Sequence, residues 1–376
     1  RDYKNKRFFK YILMKKEIIG VFFCMLFSTV AGQTTQELQK LSWKQIATKM
    51  PQEWYGSPEA KDIADKLLLY QSDLGGFPKN IAFHKEIRQD IIDKQKETGI
   101  GTTIDNNATT TEMRFLTNMY AQTHDQRYKD AFFKALDYIY LSQYDNGGWP
   151  QFYPYRKGKS VAYSRDITYN DGAIVNVLKM LYAISDDDKP YVIFEFTPEQ
   201  KQKALDAYKK GIQCILNTQI RNKNGELTVW CAQHDPETLL PANARAYELA
   251  SYSGDESADI VLLLMKVENP SPEVIEAVKG AVKWFEKHKI TDTAYIRKKD
   301  KNGKWVAYIE PQKGATPLWA RFYDLETEQP FFCDRDGIKR ATLAEVGAER
   351  RGGYSWYSDE GNEVLKKYVE WEKAIQ

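Results

Sequence analysis

A weak internal repeat limits the possible folds more than any other feature of the sequence. Three segments that follow helical patterns start at Gln, pass through a Gly-containing turn and reach an aromatic residue: QSDLGGFPK (71–79), QYDNGGWPQ (143–151) and QIRNKNGELTVWCAQ (219–233). The three Gln residues are 72 and 76 positions apart, which leaves room for two helices and a loop in each interval. Repeats of this length are typical of stacked helical hairpins. We predict a mainly α fold, an incomplete (α/α) toroid of three helical-hairpin repeats with few short strands; the alternative is an irregular helical bundle.

Apolar residues at helical spacing predict eight helices, and two apolar runs predict strands. The helices are predicted over 57–71, 109–122, 126–143, 171–184, 198–217, 241–253, 271–288 and 360–375. The strands are predicted over 226–231 and 305–309. Ser57 before Pro58 is a typical helix start, and Thr109 with Glu112 is typical of a capping box.

The first 32 residues are predicted to be a secretory signal peptide with an upstream extension. Lys15 and Lys16 follow Met14, an apolar run covers 18–27, and small residues lead to Gly32. The run is too short to span a bilayer. We therefore predict a single domain over 33–376, no membrane span in the mature protein, and a secreted or periplasmic location.

The charge balance and the cysteine count exclude several classes of protein. The whole chain carries a net charge of +2, but residues 33–376 hold 47 Lys and Arg against 50 Asp and Glu, or about −3. Without an excess of positive charge, we expect no nucleic acid partner. Three Cys in 33–376 cannot form a complete disulfide framework. Four scattered His disfavour a His-based metal site.

Short oxygen-bearing side chains precede two of the predicted helices. Asp105 and Asn106 stand before the helix at 109–122, and Asp171 opens the helix at 171–184. Such residues are common helix caps. They are also the oxygen ligands that Ca²⁺ prefers, and two carboxylates at one rim could instead be the acid and base of a glycoside hydrolase.

Three arginines occupy segments rich in aromatic or small residues. Arg245 lies in the first turns of the predicted helix at 241–253, where an ion pair with Glu248 is the simplest role. Arg321 is surrounded by aromatic residues, so it either binds carboxylates or forms a surface cation–π cluster. Arg335 lies in the sequence DRDG, which alone indicates a turn.

Several of these segments together resemble the family 10 polysaccharide lyases, which are pectate lyases. The resemblance covers residues from about 40 to the end of the chain and rests on GGFPKN, DNNATTTEM, NGGWPQFYP, ITYNDGAIV, ARAYELASYSGDES and PLWARFYDLETEQPFFCDRDG. It implies that residues 33–376 form one catalytic domain with an incomplete (α/α) toroid fold. It also implies calcium-dependent β-elimination of polygalacturonate.

The resemblance further implies a role for each candidate residue. Arg245 would be the base, Arg321, Arg335 and Asn106 would bind substrate, and Asp105 and Asp171 would bind calcium. We expect the other arginines and the calcium to lower the pKa of Arg245, because like charges disfavour the charged form. We also expect a monomer.

Two other classes of function stay open at this point. An α/α-barrel glycoside hydrolase would use Asp105 and Asp171 as acid and base and would form no unsaturated product. A non-catalytic pectin-binding protein would bind the polymer without shortening it.

Overall fold

The computed structural model describes residues 35–375, so the predicted signal peptide lies outside the described residues. The predicted domain boundary at residue 33 stays a prediction. Within the described range the α-helices are α1 Thr35–Leu38, α2 Trp43–Lys49, α3 Pro58–Leu69, α4 Gln89–Thr98, α5 Thr110–Thr123, α6 Gln126–Leu141, α7 Ala173–Ser185, α8 Pro198–Thr218, α9 Glu256–Leu264, α10 Pro272–Lys287, α11 Ala348–Gly353 and α12 Gly361–Ala374.

The strands are short and pair antiparallel into separate two-stranded sheets. They are β1 Ile167–Thr168, β2 Gln233–His234, β3 Tyr252–Ser253, β4 Thr293–Lys299, β5 Trp305–Pro311, β6 Trp319–Ala320, β7 Phe322–Tyr323, β8 Phe332–Cys333, β9 Lys339–Arg340 and β10 Tyr357–Ser358. The longest sheet is the hairpin of β4 and β5, in which Thr293 pairs with Pro311 and Lys299 with Trp305. The predicted strand at 305–309 lies within β5.

Three consecutive helix pairs form the body of the fold: α5 packs on α6, α7 on α8, and α9 on α10. The first helices of the pairs also contact each other, because α7 packs against both α5 and α9. These three form the inner layer, and the apolar side chains that they bury continue into one hydrophobic cluster with the outer helices. This arrangement confirms the predicted helical toroid of three hairpin repeats with few short strands.

The repeated Gln explains why the sequence repeat is linked to the fold. In each repeat its side-chain amide donates one hydrogen bond within its own turn and a second to the following hairpin. Gln71 binds the carbonyls of Gly75 and Ala131 at 2.8 and 2.7 Å. Gln143 and Gln219 make the corresponding pairs of bonds, at 3.0 and 2.9 Å and at 2.7 and 2.9 Å. Each Gln therefore joins one repeat to the next.

The glycines beside these Gln residues allow the close contact between repeats. Gly75 and Gly147 have φ of 106° and 91°, and a Cβ atom at either position would lie 2.0 Å from a backbone oxygen of the next hairpin. Any other residue would clash there and would also be strained at positive φ.

Seven of the eight predicted helices are present, but the helix predicted over 241–253 is wrong. This segment is a loop, because its polar side chains bind its own backbone. Asn243 Oδ1 accepts a hydrogen bond from Ala250 N at 2.7 Å, and Glu248 Oε2 accepts one from Arg245 N at 3.3 Å. Side chains of this kind compete with the helical hydrogen-bond pattern.

Two smaller predictions are also wrong. Residues 226–231 form no strand but an extended arm, in which Thr228 N donates to Ile220 O at 2.9 Å. Thr109 makes no capping box, because its hydroxyl accepts from Phe77 N at 3.0 Å and donates to Thr103 O at 2.8 Å. Glu112 instead points to the N-terminal helix α2 and accepts from Trp43 Nε1 at 2.7 Å.

The inner helices start at the same rim of the toroid. A 3₁₀ turn at Asp105–Asn107 precedes α5, and a second at Asn170–Gly172 leads into α7. The two turns contact each other, and the second contacts α9. Each has a residue in the left-handed region, Asn106 with φ of 52° and Asp171 with φ of 50°. The polar residues that precede three different helices are thereby collected at one place.

Among residues 35–375, none of the helices combines the length and apolar character needed to cross a membrane.

Candidate active site

Asp105 is fully buried at the base of the rim, and side chains from three loops bind its carboxylate. Oδ2 pairs with the ammonium of Lys79 and accepts a hydrogen bond from Gln151 Nε2 at 2.8 Å. Oδ1 accepts from Asn170 Nδ2 at 3.0 Å. A buried charge is tolerated when it is paired and hydrogen-bonded in this way. Asp105 is therefore a fixed anion, with both oxygens already engaged.

Asp171 is the open carboxylate of the rim, with 41% of its side chain exposed. Asn170 Nδ2 links it to Asp105, because the same amide donates to Asp171 Oδ2 at 3.0 Å. Burial raises the pKa of Asp171; Arg321 opposes this shift, and the carboxylates of Glu256 and Asp105 add to it. Negative charge is thus crowded at Asp171, and a cation bound there would relieve it.

Arg321 lies between β6 and β7 and points its guanidinium at the acidic rim. Its side chain is 7% exposed, and one terminal nitrogen pairs with the buried carboxylate of Glu256. The same nitrogen lies 3.2 Å from Asn170 Oδ1 and 3.6 Å from Asp171 Oδ1. The other terminal nitrogen is 3.8 Å from Asp255 Oδ2. Arg321 is therefore a buried cation held among three acidic side chains.

Arg245 forms a two-point ion pair with Glu248 in the loop that replaces the predicted helix. Arg245 Nε donates to Glu248 Oε2 at 2.7 Å, and a terminal nitrogen pairs with Oε1. The Arg245 side chain is 46% exposed, whereas Glu248 is 11% exposed. Tyr354 donates its hydroxyl to Glu248 Oε1 at 3.0 Å. Tyr354 thus holds Glu248 in place, and Glu248 in turn orients Arg245.

The expectation that the neighbouring arginines lower the pKa of Arg245 is wrong for this structure, whereas the effect of calcium on this pKa stays a prediction. Burial acts to lower the pKa, but the hydrogen bonds and the charge of Glu248 outweigh burial and raise it above the usual value. The physical reason is that Glu248 binds this guanidinium directly, whereas the other arginines reach it only across aromatic rings.

Two tyrosines in edge-to-face contact bring the predicted arginines together. The guanidinium carbons of Arg245 and Arg335 lie 4.8 and 5.5 Å from the centre of the Tyr247 ring. That of Arg321 lies 4.7 Å from the Tyr354 ring, and the two rings are 6.2 Å apart. The structure therefore gathers the three arginines that the sequence placed far apart.

Arg335 and Asn106 are at the outer edge of this site. The guanidinium of Arg335 is 60% exposed and binds Glu349 through two nitrogens, at 3.1 and 3.0 Å. Asn106 donates to Asn80 Oδ1 at 3.0 Å from the turn that also holds Asp105.

The sequence analysis missed the partners of the predicted residues. They are Lys79, Gln151, Asn170, Glu256, Tyr354 and Arg350, whereas Glu248 was predicted as the ion-pair partner of Arg245. Asp255 precedes α9 and Glu256 is its first residue, much as Asp171 precedes α7, so the repeat itself could have indicated Glu256. Asn170 is adjacent to Asp171 in the sequence. Lys79, Gln151, Tyr354 and Arg350 become neighbours of the predicted residues only in the folded chain.

Arg350 in α11 is the most unusual of these partners. It is 6% exposed and stacks between two rings, 3.5 Å from the centre of Tyr247 and 3.7 Å from that of Tyr354. Within residues 35–375 no group accepts from its Nε or from one terminal nitrogen. Burial lowers the pKa of Arg350. A buried guanidinium with free donors beside Arg245 is suited to meet an anionic ligand.

The donors at the rim fit a hard cation only in part. No group of three or more His, Cys, Asp or Glu within the described residues forms a metal site by itself. The carboxylates of Asp105 and Asp171 supply oxygen ligands, which calcium prefers. Asp171 is exposed and lies near the carboxylates of Glu256 and Asp105, whereas the carboxylate of Asp105 is paired with Lys79. Asp171 is thus the more available ligand, and further oxygens would have to come from water or substrate.

Comparison with known proteins agrees with the fold and with the family that the sequence resembles. The sequence profile described as Pectic acid lyase matches residues 71–365. The structure of the family 10 polysaccharide lyase from Cellvibrio cellulosa is 33% identical, covers 84% of this chain and 97% of its own, and has a TM-score of 0.71. A mutant of this lyase in complex with trigalacturonic acid is also 33% identical, covers 87% and 95%, and has a TM-score of 0.72. A search of curated proteins gave no match.

A helical toroid with this rim, matched over nearly its whole length by lyase structures, defines the chain as a polysaccharide lyase. It belongs to the pectic acid lyase family, family 10 of the polysaccharide lyases. Its activity is that of a pectate lyase.

Proposed function

We propose that this pectate lyase cleaves polygalacturonate by calcium-dependent β-elimination, with Arg245 as the base. The observation that carries the proposal is the division of the site into two faces. Asp171 and its neighbours form an oxygen-rich face, and Arg245, Arg321 and Arg335 form a cationic face joined through Tyr247 and Tyr354. A galacturonate residue offers one carboxylate and one acidic proton, which these two faces are suited to bind. The complex of the mutant Cellvibrio cellulosa lyase with trigalacturonic acid supports this choice of substrate.

Elimination removes the proton on C5 and breaks the bond between C4 and its oxygen, so that a C4=C5 double bond forms and the departing oxygen takes a proton from water. As the proton on C5 leaves, negative charge builds on the C6 carboxylate, where Arg321 and Arg335 would stabilise it electrostatically. Arg321 is suited to this role because its buried guanidinium is already fixed by Glu256 and Tyr354. Groups fixed before the reaction need no reorganisation as the charge develops.

Arg245 must be neutral to accept the proton, yet Glu248 favours its charged form. The raised pKa of Arg245 leaves the neutral form scarce near neutral pH. We therefore propose an alkaline activity optimum. Glu248 would hold the guanidinium in the orientation needed for transfer, and it would stabilise the arginine again once the proton has moved.

The calcium ion would be held by Asp171 and Asp105, and it would supply further positive charge beside the substrate carboxylate. Asp105 could bind the calcium ion only if Lys79 shared the Asp105 carboxylate with the ion or released that carboxylate. Asn106, beside Asp105, would donate to the substrate.

The geometry disfavours the glycoside hydrolase alternative. Asp105 would have to exchange a proton with a sugar or a water, but it is 0% exposed and both of its oxygens are bound by Lys79, Gln151 and Asn170. An acid or base of a hydrolase needs open access to its partner.

Replacement of Arg245 by Lys tests the assignment of the base. We expect Arg245→Lys to lose at least about a hundredfold in kcat, which corresponds to loss of a general base, while binding of trigalacturonate changes little. The ultraviolet absorbance of the unsaturated product reports the reaction. The control is Arg340→Lys, a surface arginine paired with Asp336. Cleavage by Arg245→Lys at the rate of the unmodified enzyme would exclude Arg245 as the base.

Chelation tests the metal. We expect EGTA to abolish formation of the unsaturated product and added calcium to restore it. Product formation that EGTA does not affect would remove calcium from the proposal.

We further propose that the enzyme acts in the periplasm or outside the cell, which the signal-peptide pattern supports. We also propose that it acts as a monomer.

A further inference from the structure

A second groove lies beside the site and is not used by the chemistry proposed above. It has a volume of about 630 Å³ and is enclosed by the loop around Lys79, by helix α4 and by the loop around Arg156. Its floor includes apolar residues, and its polar lining consists mainly of the cations Lys79, Lys94, Arg156 and Lys157. The groove is therefore basic and lies between three chain segments.

The groove shares one residue with the active site. Lys79 lines the groove and also pairs with Asp105 at the base of the rim. A chain that crosses the rim beside Lys79 would thus enter this groove.

The positive charge of the groove is not neutralised by the protein. Its one acidic lining residue, Asp90, is bound by Arg88 through two nitrogens at 2.9 and 2.7 Å. Within residues 35–375 no carboxylate lies within 4.0 Å of the charged atoms of Lys94, Arg156 or Lys157. Uncompensated cations along a concave surface attract an anionic polymer.

One of these cations is held in place rather than free in solvent. The guanidinium carbon of Arg156 lies 3.7 Å from the centre of the Phe152 ring, and Lys79 Nζ lies 5.4 Å from the same ring. Phe152 is itself 1% exposed. A stacked guanidinium has lost part of its conformational freedom before binding, so less is lost when it meets a carboxylate.

We propose that this groove is a distal subsite, in which Lys94, Arg156 and Lys157 bind carboxylates of the uronate chain beyond the residues where the bond breaks. The proposal rests on the proposed action on polygalacturonate. Polygalacturonate repeats one carboxylate per sugar, so a polymer that fills the site carries further carboxylates into the groove. A short oligomer that fills only the reacting positions does not.

The test compares polymer with trimer for Arg156→Ala combined with Lys157→Ala. We expect KM for polygalacturonate to rise roughly three- to tenfold, since each exposed ion contact contributes modestly, and KM for trigalacturonate to change less than twofold. We also expect the KM of the variant to depend less steeply on salt concentration. The control is Lys209→Ala combined with Lys210→Ala, which removes the same charge from the outer surface of α8.

The possible outcomes separate this proposal from the proposed function. An unchanged KM for the polymer would overturn the distal subsite, as would an equal loss for polymer and trimer. No unsaturated product from the unmodified enzyme would overturn the proposed function instead. Because loss of Arg156 also removes packing on Phe152, Lys94→Ala combined with Lys157→Ala gives a second variant whose side chains are exposed. We expect it to raise KM for the polymer in the same direction.

Discussion

Glu248 decides how Arg245 can act, although it is not expected to touch the substrate. It binds the guanidinium through both carboxylate oxygens and raises the pKa of Arg245. The ion pair between Arg245 and Glu248, which was the simplest role for Arg245 in the sequence, is therefore present. It belongs to the candidate site. Structural and functional roles are combined in one contact.

Neutralising Glu248 should shift the pH dependence of the reaction. In Glu248→Gln the main cause of the raised pKa of Arg245 is lost, so the neutral arginine becomes available at lower pH. We expect the rising limb of kcat/KM against pH to move downward by roughly one unit, with a lower maximum because one charged hydrogen bond is lost. The control is Tyr354→Phe, which removes a hydrogen bond to Glu248 but no charge. A reduced rate without any shift would show that Glu248 only positions Arg245.

Lys79 competes with any metal ion for the carboxylate of Asp105. We expect Lys79→Met to bind calcium about three- to tenfold more tightly in the absence of substrate, because Asp105 is then left without its cation. Titration calorimetry with calcium alone measures this. Lys94→Met is the matched control, since this lysine lies in the same region but is not paired with Asp105. Equal affinity of Lys79→Met and the unmodified protein would argue against Asp105 as a ligand.

At the scale of elements, the predictions succeeded where a pattern is local and failed where side chains compete with the backbone. The helices α5 to α8 and α10 follow from apolar spacing, and the start of α3 follows from Ser57 before Pro58. The segment 241–253 has equally helical spacing, but Asn243 and Glu248 bind backbone amides and hold it as a loop. Spacing alone does not show which of these two arrangements is more stable.

The Gln between repeats should contribute measurably to stability. Gln219 is 8% exposed and donates to two carbonyls, so Gln219→Ala leaves both acceptors without a donor. We expect a loss of about 2–3 kcal/mol in the free energy of unfolding, measured by urea denaturation, at roughly 1 kcal/mol per hydrogen bond plus the cost of the unpaired carbonyls. Gln213→Ala on the exposed face of α8 should cost less than about 0.5 kcal/mol. Similar losses in both variants would contradict the role of the repeated Gln.

At the scale of the whole molecule, the sequence indicated residues that the structure brings together but not the contacts between them. Asp105, Asp171, Arg245 and Arg321 were singled out from their local surroundings, and the repeat explains why the two aspartates share a rim. Arg350 comes from a short helix that packs on β5, over a hundred residues after Arg245. Such contacts depend on how distant segments fold together, which neither periodicity nor motif spacing determines.

Buried acidic groups should make the whole fold less stable at the pH where activity is expected. Burial raises the pKa of Glu112 from 4.5 to about 7 and that of Asp166 from 3.8 to about 7. The folded state therefore keeps these protons when the unfolded state has lost them, so stability falls as pH rises from about 4.5 to 7 and is then constant.

Glu112→Gln should remove part of this loss, because the neutral amide can still accept from Trp43. We expect the free energy of unfolding of the variant, relative to the unmodified protein, to be about 1–3 kcal/mol higher at pH 8 than at pH 5. Urea denaturation at the two pH values measures this difference. Glu276→Gln, on the exposed surface of α10, should show the same relative stability at both. A difference for Glu112→Gln that does not change between pH 5 and pH 8 would show that Glu112 is ionised in the folded protein throughout this range.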